Sequence, residues 1–358
     1  MRVAAVLLAC AAMIRPLAAT LATVLGLAAV PALAAPATPW SPPRTADGHP
    51  DLSGVWSNAS VTWLDRRYGL TSLVISEAEA RAAEKKNPQV MRQDLDNAPA
   101  DVTKPPPVGN PGGYNAFWLD PGTSFGKVRG QYRTSWIVDT PDGQLPLNAA
   151  GKAHRAEAQA HTRHADTPDG PEEFEPWDRC IIASRGSGGP GMLNNIYNSN
   201  IRILQTPGFV ILESEMIHDA RIIRVFESRA AAQAAHGPAA LNLWLGDSVA
   251  WWEGATLVIE TVNVNAEQGR AGPIYLTPKG RVTERLTRDS AQQIFYAFQV
   301  EEPAYYTHPW RAEMSLNAGP KQIYEYACHE GNYALPDILR GRRAEEAEAR
   351  AGKKGGGQ

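Results

Sequence analysis

Residues 281–301, RVTERLTRDSAQQIFYAFQVE, decide the fold class of this chain. Two runs with a period of two flank the turn-forming pair Asp289-Ser290, which predicts an antiparallel β-hairpin. In the second run the even-numbered positions from Ile294 to Val300 are apolar. Because successive side chains of a strand point to opposite faces, these positions are predicted to face the interior.

The same pattern recurs along the second half of the chain. It predicts three further hairpins, at 200–204 with 209–216, at 248–252 with 256–263, and at 311–316 with 321–327. Some eight antiparallel strands joined by short turns favour a meander that curls into a barrel. We therefore predict a mainly β protein whose antiparallel, lipocalin-like β-barrel spans 198–338, the likeness to lipocalins being an analogy of strand pattern only.

A loop-rich, partly helical portion is predicted over 35–197, and a charged helix with a disordered tail over 339–358. Ser76 and Glu79 form a capping box at the start of one helix, which Asn87-Pro88 ends. A second helix is predicted from about Leu147 to His164. Its histidines at 154, 161 and 164 fall near one face, but a solvated face is favoured over a metal site, so no metal is predicted.

The first 34 residues have the pattern of a secretory signal peptide. A charged Met13-Ile14-Arg15 precedes an apolar core, and small residues at Ala32 and Ala34 suit cleavage. Either Met1 or Met13 could be the start, and the lipoprotein-like Cys10 is poorly placed within its apolar stretch. We predict a periplasmic or secreted protein with no stable membrane insertion after the signal is removed.

Charge and motifs exclude several function classes. The formal net charge of −3, with both signs interspersed, argues against nucleic acid as a partner. No phosphate-binding loop, dinucleotide fingerprint or nucleophile elbow occurs, so no cofactor is predicted. Ser187 in the Gly-rich run 184–191 has no strand–turn–helix context, which disfavours a serine hydrolase.

Two cysteines, Cys180 and Cys328, remain beyond the signal peptide. An even pair in an exported protein predicts a disulfide, with two buried free thiols as the alternative. The bridge would bring the Gly-rich run 184–191 beside His329 and Glu330.

The segment YEYACHEGNY, residues 324–333, concentrates groups able to do acid, base or hydrogen-bonding chemistry. We predict a site there with His218 or His329 as base. Positions 212, 216 and 218 are all even-numbered, and 212 and 216 are apolar. If the strand is unbroken, His218 therefore points to the interior with them. The alternative is a core histidine bonded to a backbone carbonyl. The remaining predicted site residues are Glu330, Asp219 and Tyr324 as acid or orienting groups, Arg179, Arg185 and Arg221 for an anion, and Tyr296 and Trp310 for substrate binding.

Glu213 and Glu215 project the same way from one predicted strand. Repulsion between them could raise one pKa into the range of a general acid. A solvated strand face with Arg202 or Arg221 as counter-charge is the favoured interpretation.

Five segments together resemble a family of exported bacterial proteins: 47–56 (DGHPDLSGVW), 133–147 (RTSWIVDTPDGQLPL), 205–208 (QTPG), 244–247 and 324–333. The resemblance covers nearly all of the chain beyond the signal peptide. It implies export and implies no activity or catalytic residues.

These observations predict a cofactor-independent lyase, isomerase or hydrolase that acts on a small aromatic or apolar compound by His/acid chemistry. One alternative is a non-catalytic carrier of a small ligand, of lipocalin type. Another is a carbohydrate-active protein, which the tryptophans and export would suit.

Overall fold

The computed structural model describes residues 40–91, 122–164 and 168–355. The predicted signal peptide and the whole Pro- and Gly-rich segment 94–115 lie outside these ranges. Residues from Ser41 onward form one compact unit.

The described residues contain twelve strands, a helical stretch at 88–91 and four further α-helices. The strands are β1 (Gly54–Ser57), β2 (Val74–Ile75), β3 (Lys127–Val128), β4 (Gln131–Arg133), β5 (Asn200–Thr206), β6 (Phe209–Ser214), β7 (Ala220–Phe226), β8 (Asp247–Glu253), β9 (Thr256–Val262), β10 (Arg281–Arg288), β11 (Gln293–Glu301) and β12 (Trp310–Ala318). The helices are α1 (Glu77–Glu84), α2 (Ala149–His164), α3 (Arg229–Ala234) and α4 (Ala334–Gly355). Short 3₁₀ turns occupy Pro171–Glu173, Ser184–Gly186, Met216–His218, Ala239–Leu241 and Ala266–Ala271.

Nine strands close a barrel in the order β1-β12-β11-β10-β9-β8-β7-β6-β5, and β5 pairs with β1. The predicted hairpins β5–β6, β8–β9 and β10–β11 are confirmed. The predicted parity of β11 is also confirmed, because its even-numbered positions from Ile294 to Val300 are buried. A separate small sheet has the order β2-β4-β3.

The barrel is mixed, which corrects the prediction of an antiparallel one. Strands β7 and β8 pair in parallel, with Arg224 opposite Val249. Parallel neighbours need a crossover connection, and α3 lies within it. Ala232 of that helix packs in a small buried cluster with Val249, Trp251 and Val258 of the barrel wall.

Strand β7 was not predicted, because it has a charged residue buried and an apolar residue exposed, which is the reverse of the usual pattern. Arg221 is buried, whereas its neighbour Ile222 is 68% exposed. Alternation of apolar residues therefore gives no indication of which face of β7 is inside.

Two further strand predictions differ from the structure. Residues 321–327 form no strand and run as extended chain and turns after β12. The ninth strand of the barrel is instead β1, which comes from the portion predicted to be loop-rich and pairs with both β5 and β12.

The two predicted N-terminal helices are confirmed. In α1, Ser76 accepts a hydrogen bond from the Glu79 backbone N–H, and the Glu79 carboxylate accepts one from the Ser76 N–H. The final helix α4 begins at Ala334, before the predicted start near residue 339. None of the described helices is long and apolar enough to cross a membrane.

Side chains fill the barrel interior. One buried hydrophobic cluster includes inward-facing residues of β5 to β12, among them Ile203, Leu212, Ile259, Leu286 and Met314. At its centre Arg221 forms an ion pair with Glu284, with an Nη2–Oε1 distance of 2.9 Å. Tyr296 donates a hydrogen bond from its hydroxyl to the same carboxylate. Such packing is typical of a closed core whose interior is filled by side chains.

Candidate functional site

A cavity of about 560 Å³ lies against the segments that cover the barrel. Its walls come from the loop after β1, from α2, and from the segments 175–197, 269–275 and 326. Its aromatic lining residues are Trp63, Trp177, Tyr197, Tyr275 and Tyr326. A volume in this range and an aromatic lining are typical of a site for a small organic ligand.

Three arginines and three carboxylates also line this cavity. They are Arg67, Arg155 and Arg185, with Asp65, Glu175 and Asp178. Six ionisable groups around one aromatic cavity give it the means both to orient a polar ligand and to move a proton.

Asp178 and Glu175 form the acidic part of the cavity. Burial raises the pKa of the Asp178 carboxyl, and the negative charge of Glu175 raises it further. A hydrogen bond from the Glu175 backbone acts in the opposite direction. No arginine is among the causes of this shift in the Asp178 pKa.

Asp65 lies on another wall. Its Oδ1 accepts a hydrogen bond from the Leu145 N–H at 3.0 Å, and its Oδ2 lies 4.0 Å from Arg155 Nη1. Burial raises the pKa of Asp65 despite these partners and the positive charge of Arg67. Asp65 and Arg155 thus form one ion pair of the cavity wall.

The Gly-rich run 184–191 packs between the cavity and the barrel. A Cβ on Gly188 would lie 2.4 Å from Asp219 Oδ2, and one on Gly189 would lie 2.8 Å from Arg221 Cζ. The hydroxyl of Ser187 is buried and donates to the Ser184 carbonyl at 2.6 Å. These glycines therefore permit close packing on the barrel end, and Ser187 is held in a structural bond.

A strap formed by residues 322–333 passes the mouth of the cavity. The predicted disulfide between Cys180 and Cys328 is confirmed, and it joins this strap to the turn that carries Trp177 and Asp178. Glu215 accepts a hydrogen bond from the Tyr324 N–H at 2.9 Å. These links place Tyr326 in the cavity wall.

His218 does not point inward as its parity predicted. Strand β6 ends at Ser214, and His218 lies in a 3₁₀ turn with a φ of +54°. Its side chain is exposed, and its Nε2 accepts a hydrogen bond from the Tyr326 N–H at 3.0 Å. His218 therefore supports the strap, which is a different position from the predicted inward-facing base.

The predicted residues of the segment 324–333 are on the surface. His329, Glu330 and Tyr324 are exposed, and Tyr324 is 68% exposed. The Gly-rich run, expected beside His329, packs instead against Asp219 and Arg221. An exposed histidine lacks the shielding that a base working near neutral pH needs.

Asp219 is half-buried beneath the Gly-rich run. Its Oδ2 accepts a hydrogen bond from the Ala183 N–H at 2.6 Å. Burial raises the pKa of Asp219 to about 6, against the effects of that bond and of nearby His218. It does not line the cavity.

Only one of the residues predicted to bind substrate lines the cavity, and that residue is Arg185. Arg179 is half-buried in the turn before Cys180. Arg221, Tyr296 and Trp310 lie in the packed barrel interior. Glu213, as favoured, pairs with Arg202 on the neighbouring strand.

The helix histidines occupy α2. His154 stacks on Tyr305 with ring centroids 4.8 Å apart and meets Tyr275 edge-on, so it is packed rather than solvated. The side chains of His161 and His164 lie outside the described ones. No group of three potential metal ligands occurs in the described part of the chain.

Comparisons with known proteins add no identification: no family model, no curated protein and no solved structure matches this chain. The resemblance to exported bacterial proteins therefore stays a prediction.

Sequence reasoning did not select Asp178, Asp65, Arg67 or Trp63. Asp178 had one usable signal, because it stands two residues before Cys180, which the disulfide ties to the segment 324–333. Trp63 and Arg67 had none, since their loop is distant in sequence from the other segments that line the cavity.

Proposed function

We propose that this protein is an exported, cofactor-independent enzyme that acts on a small aromatic compound in the cavity lined by Trp63, Trp177 and Tyr326. The observation that carries the proposal is the Asp178 carboxyl, whose pKa is raised by burial and by Glu175 inside an aromatic-walled cavity. Such groups cluster at functional sites, because a general base needs a pKa closer to the working pH than a free carboxylate has.

Asp178 is the proposed general base. A lyase, an isomerase and a hydrolase all require removal of a proton from the substrate or from water. Glu175 beside it keeps the Asp178 carboxylate basic, and the aromatic walls exclude water from the ligand. This assignment replaces His218 and His329, which are exposed.

Export is part of the proposal. A disulfide that joins positions 148 residues apart is typical of proteins that fold in an oxidising compartment. The proposed signal peptide over 1–34 supports the same localisation.

The first test is turnover of a panel of aromatic esters, hydroxy compounds and activated C–H acids, followed by nuclear magnetic resonance. Asp178→Asn should lower kcat by about 10²–10⁴-fold, the range for loss of a general base. Wild-type kcat should fall as the pH drops through the raised Asp178 pKa, since the base must be ionised.

The matched control is Asp337→Asn, which removes an exposed carboxylate paired with Arg340 on α4. It should leave kcat unchanged. A ligand that binds the cavity with no turnover of any panel member would favour the carrier alternative. Full activity of Asp178→Asn, with the fold retained by circular dichroism, would refute the assigned base.

The carbohydrate alternative is less well supported. Sugars stack on free faces of tryptophan rings, but the Trp63 ring is covered by arginine guanidinium groups.

A further inference from the structure

The arginines of the cavity are not all neutralised by protein carboxylates. Arg155 lies beside Asp65, as described above. The charge of Arg67 still lowers the pKa of Asp65, but among the described residues neither Arg67 nor Arg185 has a carboxylate in ion-pair contact.

Both groups lie on the same aromatic ring. The Arg67 Cζ is 4.5 Å from the centroid of the Trp63 ring, and the Arg185 Cζ is 5.3 Å from it. Contacts of this kind stabilise a guanidinium by about 0.5–2 kcal/mol. The Trp63 ring is therefore in contact with two like charges of the cavity wall.

Bringing these charges together is unfavourable in the free protein. Burial lowers the pKa of Arg185, and the charge of Arg67 lowers it further, so each cation destabilises the other. An anion placed between or against the two groups would reverse this effect, because an opposite charge favours both cations.

The backbone holds Arg185 in this position at a cost. Its φ of +57° and ψ of +19° are in the left-handed region, which non-glycine residues rarely adopt. Ser187 N–H donates to the Ser184 carbonyl, and Asn195 Nδ2 donates to the Ser184 hydroxyl. Strained conformations of this kind persist where surrounding bonds enforce them, and they cluster at ligand sites.

From this geometry we infer that Arg67 and Arg185, seated on Trp63, bind a carboxylate carried by the aromatic ligand of the cavity. The inference rests on the proposed function for the location of the ligand, and it adds the substrate class, an aromatic carboxylate. Planar guanidiniums match the two oxygens of a carboxylate by paired N–H···O bonds. The ring of the ligand then extends toward Asp178, the proposed general base.

The test compares ligands of one shape and different charge. The probes are 2-naphthoate, its neutral amide, 2-naphthalenesulfonate and 2-naphthyl phosphate, titrated into the full mature protein by isothermal calorimetry at low salt. We expect 2-naphthoate to bind roughly 10–100-fold more tightly than the amide, since hydrogen bonds to charged groups are about twice as strong as neutral ones. Tighter binding of the sulfonate or phosphate than of 2-naphthoate would overturn the choice of a carboxylate.

The variants are Arg67→Gln and Arg185→Gln, singly and together. The double variant should lose the preference for 2-naphthoate over the amide, and each single variant should lose part of it. Arg340→Gln, which removes a largely exposed guanidinium on α4, is the control and should keep the full preference. Should the double variant not fold by circular dichroism, Arg67→Lys with Arg185→Lys should fold and keep a reduced preference for the anion.

Two results would overturn the inference: equal affinity of wild type for 2-naphthoate and its amide, or a preference that survives in the double glutamine variant. These outcomes are separable from failure of the proposed enzyme. Asp178→Asn should lose turnover and keep the charge preference, so an arginine-dependent preference without turnover supports the anion site and refutes the enzyme.

Discussion

Two acidic groups outside the cavity, the buried Glu284 and the half-buried Asp219, show how a carboxylate can take opposite roles. Burial alone would raise the pKa of Glu284, but the charge and hydrogen bonds of Arg221 hold it below its usual value. Asp219 has no cationic partner as close, and burial raises its pKa to about 6. Glu284 is therefore a permanent charge of the core, and Asp219 titrates near neutral pH.

Asp219 makes the free energy of unfolding decrease as the pH rises, whereas a salt-bridged carboxylate makes it increase. Its native pKa lies above the unfolded value near 3.8, so the native state holds the proton more tightly. Its contribution to stability is complete below about pH 4 and is lost as the pH rises through about 6. The loss should be roughly 3 kcal/mol, at 1.36 kcal/mol per pKa unit.

Asp219→Asn tests this prediction, because the amide oxygen still accepts the Ala183 N–H bond and cannot ionise. Unfolding in urea from pH 4 to 8 should show the variant gaining stability relative to wild type across that window. The same measurement on Asp337→Asn corrects for the exposed carboxylates. If the difference in unfolding free energy between variant and wild type does not change with pH, Asp219 is not the source of the pH dependence.

Sequence alone indicated the residues of this site only in part. Arg185 was selected and lines the cavity, and the disulfide partners were paired correctly. The orientation of His218 was predicted wrongly because a turn at Met216–His218 interrupts the alternation of inward and outward side chains. Asp178 gains its properties from burial and from Glu175, and burial depends on chain segments that are distant in sequence.

At the scale of elements, hairpins with short turns were predictable from the sequence. A strand that buries a charged side chain was not. Strand β11 has apolar residues at its inward positions, and a short turn joins it to β10, so period and burial agree there. In β7 the inward positions are mixed, because Arg221 is charged and pairs with Glu284 whereas Ile223 packs in the apolar core. No local sequence pattern indicates that a charged residue such as Arg221 is buried through an ion pair with another strand.

The Gly-rich run is an element whose glycines are set by contact with the barrel. Gly189 has a φ of +93°, and a Cβ there would lie 2.8 Å from the Arg221 guanidinium, which Glu284 holds in place. Gly189→Ala should therefore destabilise the fold by about 2–4 kcal/mol through backbone strain and overpacking.

Gly208→Ala separates the two causes. Gly208 has a similar φ of +79° in the β5–β6 turn, and nothing lies within 4 Å of its added Cβ. It should lose only about 1 kcal/mol, the cost of the left-handed backbone. Equal losses in urea unfolding of the two variants would mean that the contact with Arg221 contributes nothing.

At the scale of the whole molecule, the cavity is formed by chain segments that lie outside the barrel strands. Its lining comes from residues near 63, 155, 178, 185, 275 and 326. The predicted mainly β fold located the rigid part correctly. Sequence does not show that Tyr296, Phe298 and Trp310 pack against one another in the barrel interior.

The disulfide between Cys180 and Cys328 connects two of these segments across 148 residues. In the chain-entropy model a loop of this length stabilises the native state by roughly 4–5 kcal/mol. The bridge also orders the strap, whose other anchors are the hydrogen bonds of Tyr324 to Glu215 and of Tyr326 to His218. Each such bond contributes only about 0.5–1.5 kcal/mol, so the strap should loosen when the disulfide is lost.

The variant with both Cys180→Ser and Cys328→Ser should therefore lose about 4–5 kcal/mol in urea unfolding and also bind aromatic ligands more weakly, because Tyr326 and Trp177 leave the cavity wall. Reduction of the wild-type protein should produce the same two changes, and the double variant should not respond to reductant. A loss of stability with unchanged 2-naphthoate affinity would show that the strap takes no part in the site. The unfolding free energy reports the effect of the disulfide on the entropy of the unfolded chain. The ligand affinity reports its effect on the position of the two aromatic rings in the cavity wall.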